Sequence, residues 1–529
     1  MTQSSLEKAT QEWRAALPSE TSILENVDTL TDYNETTFLT ESNVRYILFP
    51  ENTDQVSKCL KIANKYDVSV YTVSKGKNYG LGSKLPVEND HVIIDLGRMN
   101  KITDFSEKLA YIEVEPGVTF RQVSEFLLDK GSSLMLDSIG STGEASIIGN
   151  TAERGHGVAL NADRFNFTCG MEVVLPTGEV INTGFGSLKN SEVTALSKWG
   201  LGPSLDGIFT QSSYGVITKL NLWLQPKSDH FQIVLFQIRD DENLSEIIER
   251  MRYARLQKLS LSLRIFNDYR MISFSKQYPW DEMNGKTPLD NSVLNLLKEK
   301  TGIKGKWIGL GALYSINKEF AQAERNYLSE QLSPFVEKIE FYDKQRATQI
   351  KQNGTAEEQD FIDFIYFNSS LQGFTSERAL NMCYWRVKKP IPVNKNVHED
   401  GCGVLWYCPA IPNTAEAVRK ATEIIESTSE KYALEPNVGF LFIAERALDI
   451  TGAICYDKTD PAQDKAAKAC HDEIIARFEE IGYPPYRLGI QSMQMIENYQ
   501  PNTQTLLANL KRALDPKNVL NRGRYIKDK

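Results

Sequence analysis

The sequence lacks the features that define several classes of protein. Its seven cysteines are an odd number and none form a CxxC pair, so neither a disulfide framework nor a zinc site is indicated. It contains no run of 18 uncharged apolar residues, and its N-terminal segment carries charges in place of a signal peptide's apolar stretch. These absences predict a soluble, cytoplasmic protein with reduced thiols and no membrane span.

Excess positive charge is also missing. The chain has 60 Lys and Arg against 69 Asp and Glu, a net charge of −9, and no basic run interleaved with aromatic residues. This balance argues against a nucleic acid or an anionic membrane as partner. With 529 residues, 41% hydrophobic and 24% charged, the chain can bury a large core in two or more lobes. A small-molecule site is therefore the expected function.

The pattern of apolar residues changes along the chain. Residues 41–126 alternate short β-rich runs with one helix, and Thr119 to Gln122 read as a capping box that opens a second helix. Residues 131–226 are richer in glycine and β-formers, whereas amphipathic helices are predicted near 414–432 and 464–481. The chain therefore predicts two small lobes of strands and helices followed by a larger mixed region.

Three glycine-rich segments carry the chemistry. The first, 74–82, follows a predicted strand, and its small residues let backbone N–H groups converge on an anion such as a pyrophosphate. The second, 138–150, places glycines and hydroxyls before an ERGH stretch that ends at His156, and the third spans 211–218. Each segment alone is also typical of an ordinary turn or strand entry. The order and spacing of all three segments together distinguish them from ordinary turns.

These segments resemble the flavoprotein family of vanillyl alcohol oxidase and the p-cresol methylhydroxylase flavoprotein, through SKGKNYGLG, VEPGVTF, IGNTAERGHG, GMEVVLPTGEV, SSYGVITK and the C-terminal DPKNVLNRGR. The resemblance implies an α+β fold, a two-lobed FAD-binding domain of p-cresol methylhydroxylase type with an α/β cap domain. Its implied limits are an N-terminal extension at 1–44, the FAD-binding domain at 45–226, the cap at 227–485 and a C-terminal segment at 486–529 that returns to the flavin.

FAD is the cofactor that the resemblance implies, and no metal is required because the flavin supplies the redox chemistry. The implied FAD contacts are Ser74, Lys75, Gly76, Lys77, Asn78, Tyr79, Gly80, Leu81, Ser138, Gly140, Ser141, Gly149, Asn150, Gly155, Gly215, Val216, Ile217 and Tyr384.

The resemblance also implies hydride removal from the carbon para to a phenolic hydroxyl, through a quinone methide. Tyr486 and Arg487 match the family's phenolate-binding pair, and Arg524 matches its C-terminal arginine. Two other functions stay open: oxidation of a non-phenolic alcohol or hydroxy acid, with the arginines binding a carboxylate, and a catalytically silent flavin-binding subunit. A homodimer, and a cytochrome or other electron acceptor, are further expectations from the family.

The sequence departs from the family at several site positions. Leu81 and Val158 stand where phenol-binding tyrosines are expected, so the phenol site is only partly retained. Asp137 is a candidate base, against the alternative that it caps a turn. His156 is either a structural histidine or a proton relay near the flavin.

Covalent attachment of the flavin is a separate question. The histidine tether of the oxidase type falls on Val404, so that linkage is not expected. The tyrosine tether of the cresol type falls on Tyr384 or Cys383, and His398 is a third candidate. The remaining alternative is a noncovalent flavin.

Overall fold

The computed structural model describes residues 2–25, 31–40, 44, 46–89 and 91–527. The first lobe is a four-stranded sheet in the order β1-β2-β4-β3, in which β4 runs parallel to both β2 and β3. Its elements are α1 (Gln3–Ala16), β1 (Ile23–Leu24), α2 (Thr31–Asn34), β2 (Tyr46–Leu48), α3 (Thr53–Tyr66), β3 (Val70–Val73) and β4 (Val92–Asp95). The predicted start of the FAD-binding domain, at residue 45, lies outside the described residues.

The second lobe is a five-stranded antiparallel sheet in the order β5-β6-β10-β8-β9. Its elements are β5 (Ile102–Ser106), β6 (Tyr111–Val114), α4 (Phe120–Asp129), β7 (Leu134–Met135), α5 (Ile147–Ala152), β8 (Thr168–Val174), β9 (Val180–Asn182), β10 (Val216–Trp223) and β11 (Gln225–Pro226), with β7 and β11 paired apart from the sheet. Thr119 caps α4 as predicted by accepting a bond from the Gln122 N–H, at 3.1 Å. The Gln122 side chain instead donates to the Asn100 carbonyl, so the reciprocal half of the expected capping box is replaced by this bond.

The larger region contains a seven-stranded antiparallel sheet in the order β15-β12-β14-β13-β18-β19-β17. Its strands are β12 (His230–Ile238), β13 (Leu261–Asn267), β14 (Trp307–Ser315), β15 (Val336–Tyr342), β17 (Ala410–Pro412), β18 (Gly439–Leu441) and β19 (Ala447–Ile450), and the separate pair is β16 (Cys402–Tyr407) with β20 (Gly452–Asp457). Its helices are α6 (Asp241–Leu256), α7 (Asp268–Ser273), α8 (Asn291–Thr301), α9 (Lys318–Leu332), α10 (Lys344–Asn353), α11 (Ala356–Ile362), α12 (Ala415–Lys431) and α13 (Pro461–Glu480).

The period-two alternation of β13 explains how this sheet divides core from cavity. Leu263 and Ile265 point into the apolar core shared with α6, α12 and α13. Ser262, on the opposite face, donates to the Val158 carbonyl at 2.6 Å and so joins the sheet to the second lobe. One face of the cap sheet is therefore covered by helices, and the other faces the two FAD-binding lobes.

The C-terminal segment, which includes α14 (Pro501–Leu514), returns to the first lobe. Val70 donates to the Val519 carbonyl and Asn521 donates to that of Val70, each at 2.8 Å. The buried Lys511 ammonium holds this return by donating to Asp515 at 2.7 Å and to the Ser213 and Leu520 carbonyls. Among the described residues no helix is both long and apolar enough to cross a membrane.

Candidate active site

The first glycine-rich loop leaves β3 and is held from two sides. Gly76 and Gly80 have φ of +61° and +75°, a region that favours glycine. A Cβ on Gly80 would lie 2.4 Å from the Trp406 ring on β16. The Gly80 N–H donates to the Thr37 hydroxyl at 2.7 Å, and Thr37 donates to the Val404 carbonyl. The loop is therefore fixed against the N-terminal segment and the cap.

The second and third segments pack closely around the same place. Ser146 caps α5 by accepting from the Gly149 N–H at 2.9 Å, and a Cβ on Gly149 would lie 2.8 Å from the Ser74 hydroxyl. Gly215 directly precedes β10, and a Cβ there would approach Val173 to 2.6 Å. Small residues thus allow close packing in all three segments, although at least 55 residues of chain lie between one segment and the next.

A cavity of about 410 Å³ runs between the two lobes, the cap sheet and the C-terminal segment. Most of the residues predicted for the site line it: Ser74, Lys75, Gly76, Lys77, Asn78, Tyr79, Leu81, Gly140, Ser141, Gly149, Asn150, His156, Gly215, Val216, Ile217, Tyr486, Arg487 and Arg524. Five predicted residues do not: Gly80, Ser138, Gly155, Asp137 and Tyr384.

The donor set of the cavity suits a large polar cofactor. Several buried atoms on its wall have no hydrogen-bond partner among the described residues, namely the Asn78 Oδ1, the Ser212 hydroxyl, and the Nε atoms of Arg270 and Arg487. Buried polar groups are nearly always paired in folded proteins. Unpaired atoms on a cavity wall therefore indicate a bound molecule with many polar groups, as FAD has.

Tyr486 and Arg487 lie where the C-terminal segment crosses the cap. The Tyr486 N–H donates to the Cys408 carbonyl at 2.9 Å, and the Gln211 amide donates to the Tyr486 carbonyl at 2.9 Å. Burial raises the pKa of the Tyr486 hydroxyl well above its usual value, so the hydroxyl stays protonated as a donor. The pair is thus pinned to both domains and presents a hydroxyl and a cation to the cavity.

Arg487 and Arg524 differ in whether a carboxylate neutralises the charge of the guanidinium. Arg524 pairs with Glu153, at 2.7 Å between Nη2 and Oε1, and donates to the Tyr71 hydroxyl at 3.0 Å. Arg487, among the described residues, has no carboxylate within 4.0 Å. Its guanidinium lies 5.5 Å from the Tyr486 ring centroid and beside the Cys408 thiol. Only Arg487 of the two therefore keeps an unneutralised charge for an anion in the cavity.

His156 lies beside this pair. Its Nε2 is 2.6 Å from Asp449 Oδ2, and its ring packs on the Tyr486 ring with centroids 4.6 Å apart. Asp449 belongs to β19 of the cap sheet. The distance allows an ion pair with Asp449 when the imidazole is protonated, but neither ring nitrogen has a hydrogen-bond partner of good geometry among the described residues. The relay hypothesis for His156 therefore stays a prediction.

The surroundings of Asp137 are those of a residue that caps a turn, the alternative to its role as a base. Its carboxylate accepts bonds from the Val158 N–H at 2.6 Å and from the Ala159 N–H at 2.9 Å. A Cβ on Gly157 would lie 2.3 Å from its Oδ1. Since both oxygens are engaged by this turn and the residue does not line the cavity, we interpret Asp137 as the cap of the turn that follows His156.

The candidate tethers lie in different places. Tyr384 is fully buried away from the cavity lining, and its hydroxyl donates to Asp400 at 2.5 Å. Cys383 does line the cavity, and burial raises the pKa of its thiol to about 12. His398 lies behind the lining, with its Nε2 2.7 Å from the Ser83 hydroxyl. The structure thus brings Cys383, but neither Tyr384 nor His398, to the cavity.

Arg264 and Arg270 are cavity residues that the sequence reasoning missed. Both come from the cap, on β13 and α7, far in sequence from any glycine-rich segment. The available signal was the alternation of LSLRIFN, which places an arginine on the strand face opposite the leucines. The cavity contact itself depends on long-range packing.

A bilobal α+β scaffold, a polar cavity beneath a cap and an unneutralised Tyr-Arg pair define an FAD-dependent oxidoreductase of p-cresol methylhydroxylase type. The comparisons agree with this class. A model of the FAD binding domain family matches residues 44–184. The solved structure of p-cresol methylhydroxylase with substrate bound superimposes with a TM-score of 0.90 at 28% identity, covering 100% of this chain and 98% of that one.

Two curated relatives extend over nearly the whole chain. The 1'-carboxy-chondrochloren decarboxylase of Chondromyces crocatus is 39% identical over 497 residues, 92% of each chain. The 4-cresol dehydrogenase (hydroxylating) flavoprotein subunit of Pseudomonas putida is 30% identical over 533 residues, 99% of this chain and 96% of that one. The chain belongs to the vanillyl alcohol oxidase and p-cresol methylhydroxylase family of flavoproteins.

Proposed function

We propose that the protein oxidises a para-substituted phenol by removing hydride from the benzylic carbon. The observation that carries this proposal is the Tyr486-Arg487 pair, in which a protonated hydroxyl and an unneutralised guanidinium face the cavity together. A phenolate is the substrate oxygen that needs both donors, because its negative charge must be met when it leaves water. Its electron-rich ring then drives hydride loss and forms a quinone methide.

Each part of the site has a task in this proposal. FAD, when bound, supplies a two-electron acceptor for the hydride. The loop from Ser74 to Tyr79, Gly140 to Asn150 and Gly215 to Ile217 would hold it, while Arg524 with Glu153 would fix the C-terminal segment beside it. Tyr486 and Arg487 would bind the phenolate, and His156 with Asp449 would hold or move the proton released there.

The name of the Chondromyces crocatus relative supports a second fate for the same intermediate. If the carbon next to the benzylic carbon carries a carboxylate, its C–C bonding pair can move into the quinone methide as CO₂ leaves. The ring returns to a phenolate and the side chain becomes an alkene. The two electrons of the oxidation leave with the hydride, and the C–C bonding pair supplies the new double bond, so the step balances. Decarboxylation therefore needs no catalyst beyond the phenol site and a bound carboxylate.

Anaerobic reduction of the purified flavoprotein tests the phenol proposal. A 4-alkylphenol should bleach the flavin absorbance near 450 nm, whereas a short 2-hydroxy acid should not. Bleaching by the hydroxy acid alone would contradict the proposal and favour the carboxylate-binding alternative. No bleaching by either compound would favour a silent flavin-binding subunit. Subsequent reoxidation by oxygen or by a cytochrome would identify the class of electron acceptor, and gel filtration would test the proposed homodimer.

A further inference from the structure

Two arginines of the cap face the cavity from neighbouring elements. Arg264 lies on the cavity face of β13, and Arg270 lies on α7, which begins directly after that strand. Asn267 fixes this junction, because its side chain accepts from the Arg270 N–H and the Val438 N–H, at 3.3 and 3.1 Å. Arg270 is only 7% exposed. The fold therefore places two guanidinium groups on the cavity wall, near enough for the charge of Arg264 to act on Arg270.

Among the described residues, neither guanidinium has a carboxylate ion-pair partner. Arg270 donates through Nη1 to the Thr451 carbonyl and, at 3.1 Å, to its hydroxyl, whereas its Nε has no partner among the described residues. Arg264 has one long bond, 3.4 Å, to the Gly157 carbonyl. Within the part of the chain that the structure describes, no carboxylate lies within 4.0 Å of either. The oxygens of Asp137, which acts on Arg264 from further away, are engaged by backbone N–H groups.

This arrangement is costly without an anion. Burial lowers the pKa of Arg264 and Arg270 to about 10, and mutual repulsion contributes at Arg270. Both side chains still carry their charge at neutral pH. Two like charges withdrawn from water and left unpaired destabilise a fold, so a negatively charged ligand that contacts these side chains would be favoured.

Arg270 lies among aromatic residues of the cap, the predicted substrate domain. The Arg270 guanidinium lies 4.8 Å from the Phe266 ring centroid and 5.7 Å from that of Trp406, which are cap residues. Arg264 contacts Gly157, the neighbour of His156, whose ring packs on Tyr486. Arg264 is therefore linked to the proposed phenol site through Gly157 and His156.

We propose that Arg264 and Arg270 bind a carboxylate on the para side chain of the substrate. This inference rests on the proposed function, since it adds an acidic side chain to the phenol that Tyr486 and Arg487 would hold. The substrate class becomes a 4-hydroxyphenyl compound whose side chain ends in, or carries, a carboxylate. Arginine suits this task because its planar donors match a carboxylate bidentately.

Binding to the reduced holoenzyme tests the inference without turnover. The matched probes are 3-(4-hydroxyphenyl)propionate and 4-propylphenol, which differ by a carboxylate in place of a methyl group. Anaerobic titration calorimetry should show tighter binding of the carboxylate probe to the unmodified protein, by about 10- to 100-fold, the range for hydrogen bonds to a charged group. Arg270→Gln and, separately, Arg264→Gln should each reduce this preference at least several-fold.

Control variants separate the inference from the proposed function. Arg487→Gln should weaken both probes by similar factors, and Arg270→Lys, which keeps the charge, should retain part of the preference if Arg270→Gln fails to fold. Equal binding of both probes to the unmodified protein would overturn the inference and leave the phenol proposal standing. Loss of FAD from the Gln variants would overturn it too, by assigning the arginines to the cofactor. If neither phenol binds, the proposed function itself fails.

Discussion

Replacing Arg487 by alanine should slow flavin reduction about a hundredfold without loss of FAD. The guanidinium lies on the cavity wall beside Tyr486 and Cys408 and has no carboxylate partner among the described residues. Its charge is therefore available to a phenolate. At an effective dielectric constant near 20, two opposite charges about 4 Å apart attract by about 4 kcal/mol. Loss of one preorganised donor typically costs about 3 kcal/mol, which corresponds to the hundredfold decrease.

Stopped-flow reduction under anaerobic conditions measures this rate directly, with FAD content checked from the ratio of absorbance at 450 and 280 nm. Arg477→Ala is the matched control, because it removes an arginine whose Nη1 donates to the hydroxyls of Ser427 and Thr428, outside the cavity lining. Tyr486→Phe should slow reduction more mildly, since it removes one neutral donor. If Arg487→Ala reduces as fast as the unmodified protein with the best substrate, the pair is structural and the proposed phenol site is wrong.

Three further predictions concern the cofactor and its surroundings. Gly76→Val should yield protein with little FAD, because a Cβ would meet Lys84 at 2.3 Å and block the loop; Gly131→Val, at a similar φ of +60° with open space around it, should keep its flavin. Asp137→Asn should lower the melting temperature, because a buried carboxylate that accepts bonds from two backbone N–H groups is lost, but should change the reduction rate less than tenfold; a loss of 10²- to 10⁴-fold in a stable variant would instead indicate a base. Acid precipitation should leave a colourless pellet and a yellow supernatant, since Tyr384 donates to Asp400 away from the cavity; a yellow pellet would direct attention to Cys383→Ala.

The parts of the site that local sequence could predict are those made of short segments. Glycines at 76, 149 and 215 stand where a Cβ would meet a neighbouring side chain, and the helices expected near 414–432 and 464–481 correspond to α12 and α13. The pairing of Val70 with the chain near Leu520 was not predictable from local pattern, since it joins residues 450 apart. The same holds for Arg264, whose cavity contact depends on the register of β13 between β14 and β18.

Asp137 and Tyr384 show why proximity in sequence is a weak guide to a site. Asp137 precedes the second glycine-rich segment directly, yet its carboxylate turns to the backbone of Val158 and Ala159. The two N–H groups at that turn need a hydrogen-bond acceptor, and Asp137 supplies it. This local need determines where the carboxylate points, so it does not reach the cavity. Tyr384 and Cys383 are adjacent, but only the cysteine reaches the lining. A one-residue shift along the chain changes which side chain faces the cavity.

The distribution of charge on the cavity wall relates the phenol proposal to the carboxylate proposal. Arg524 is neutralised by Glu153 and so serves the scaffold, whereas Arg487, Arg264 and Arg270 keep their charges within a space that excludes much of the solvent. A neutral alkylphenol would use Arg487 only after losing its proton, and it would leave the cap arginines unpaired. A phenol with an acidic side chain neutralises both ends at once, so selection among phenols should follow the charge of the side chain more strongly than its length.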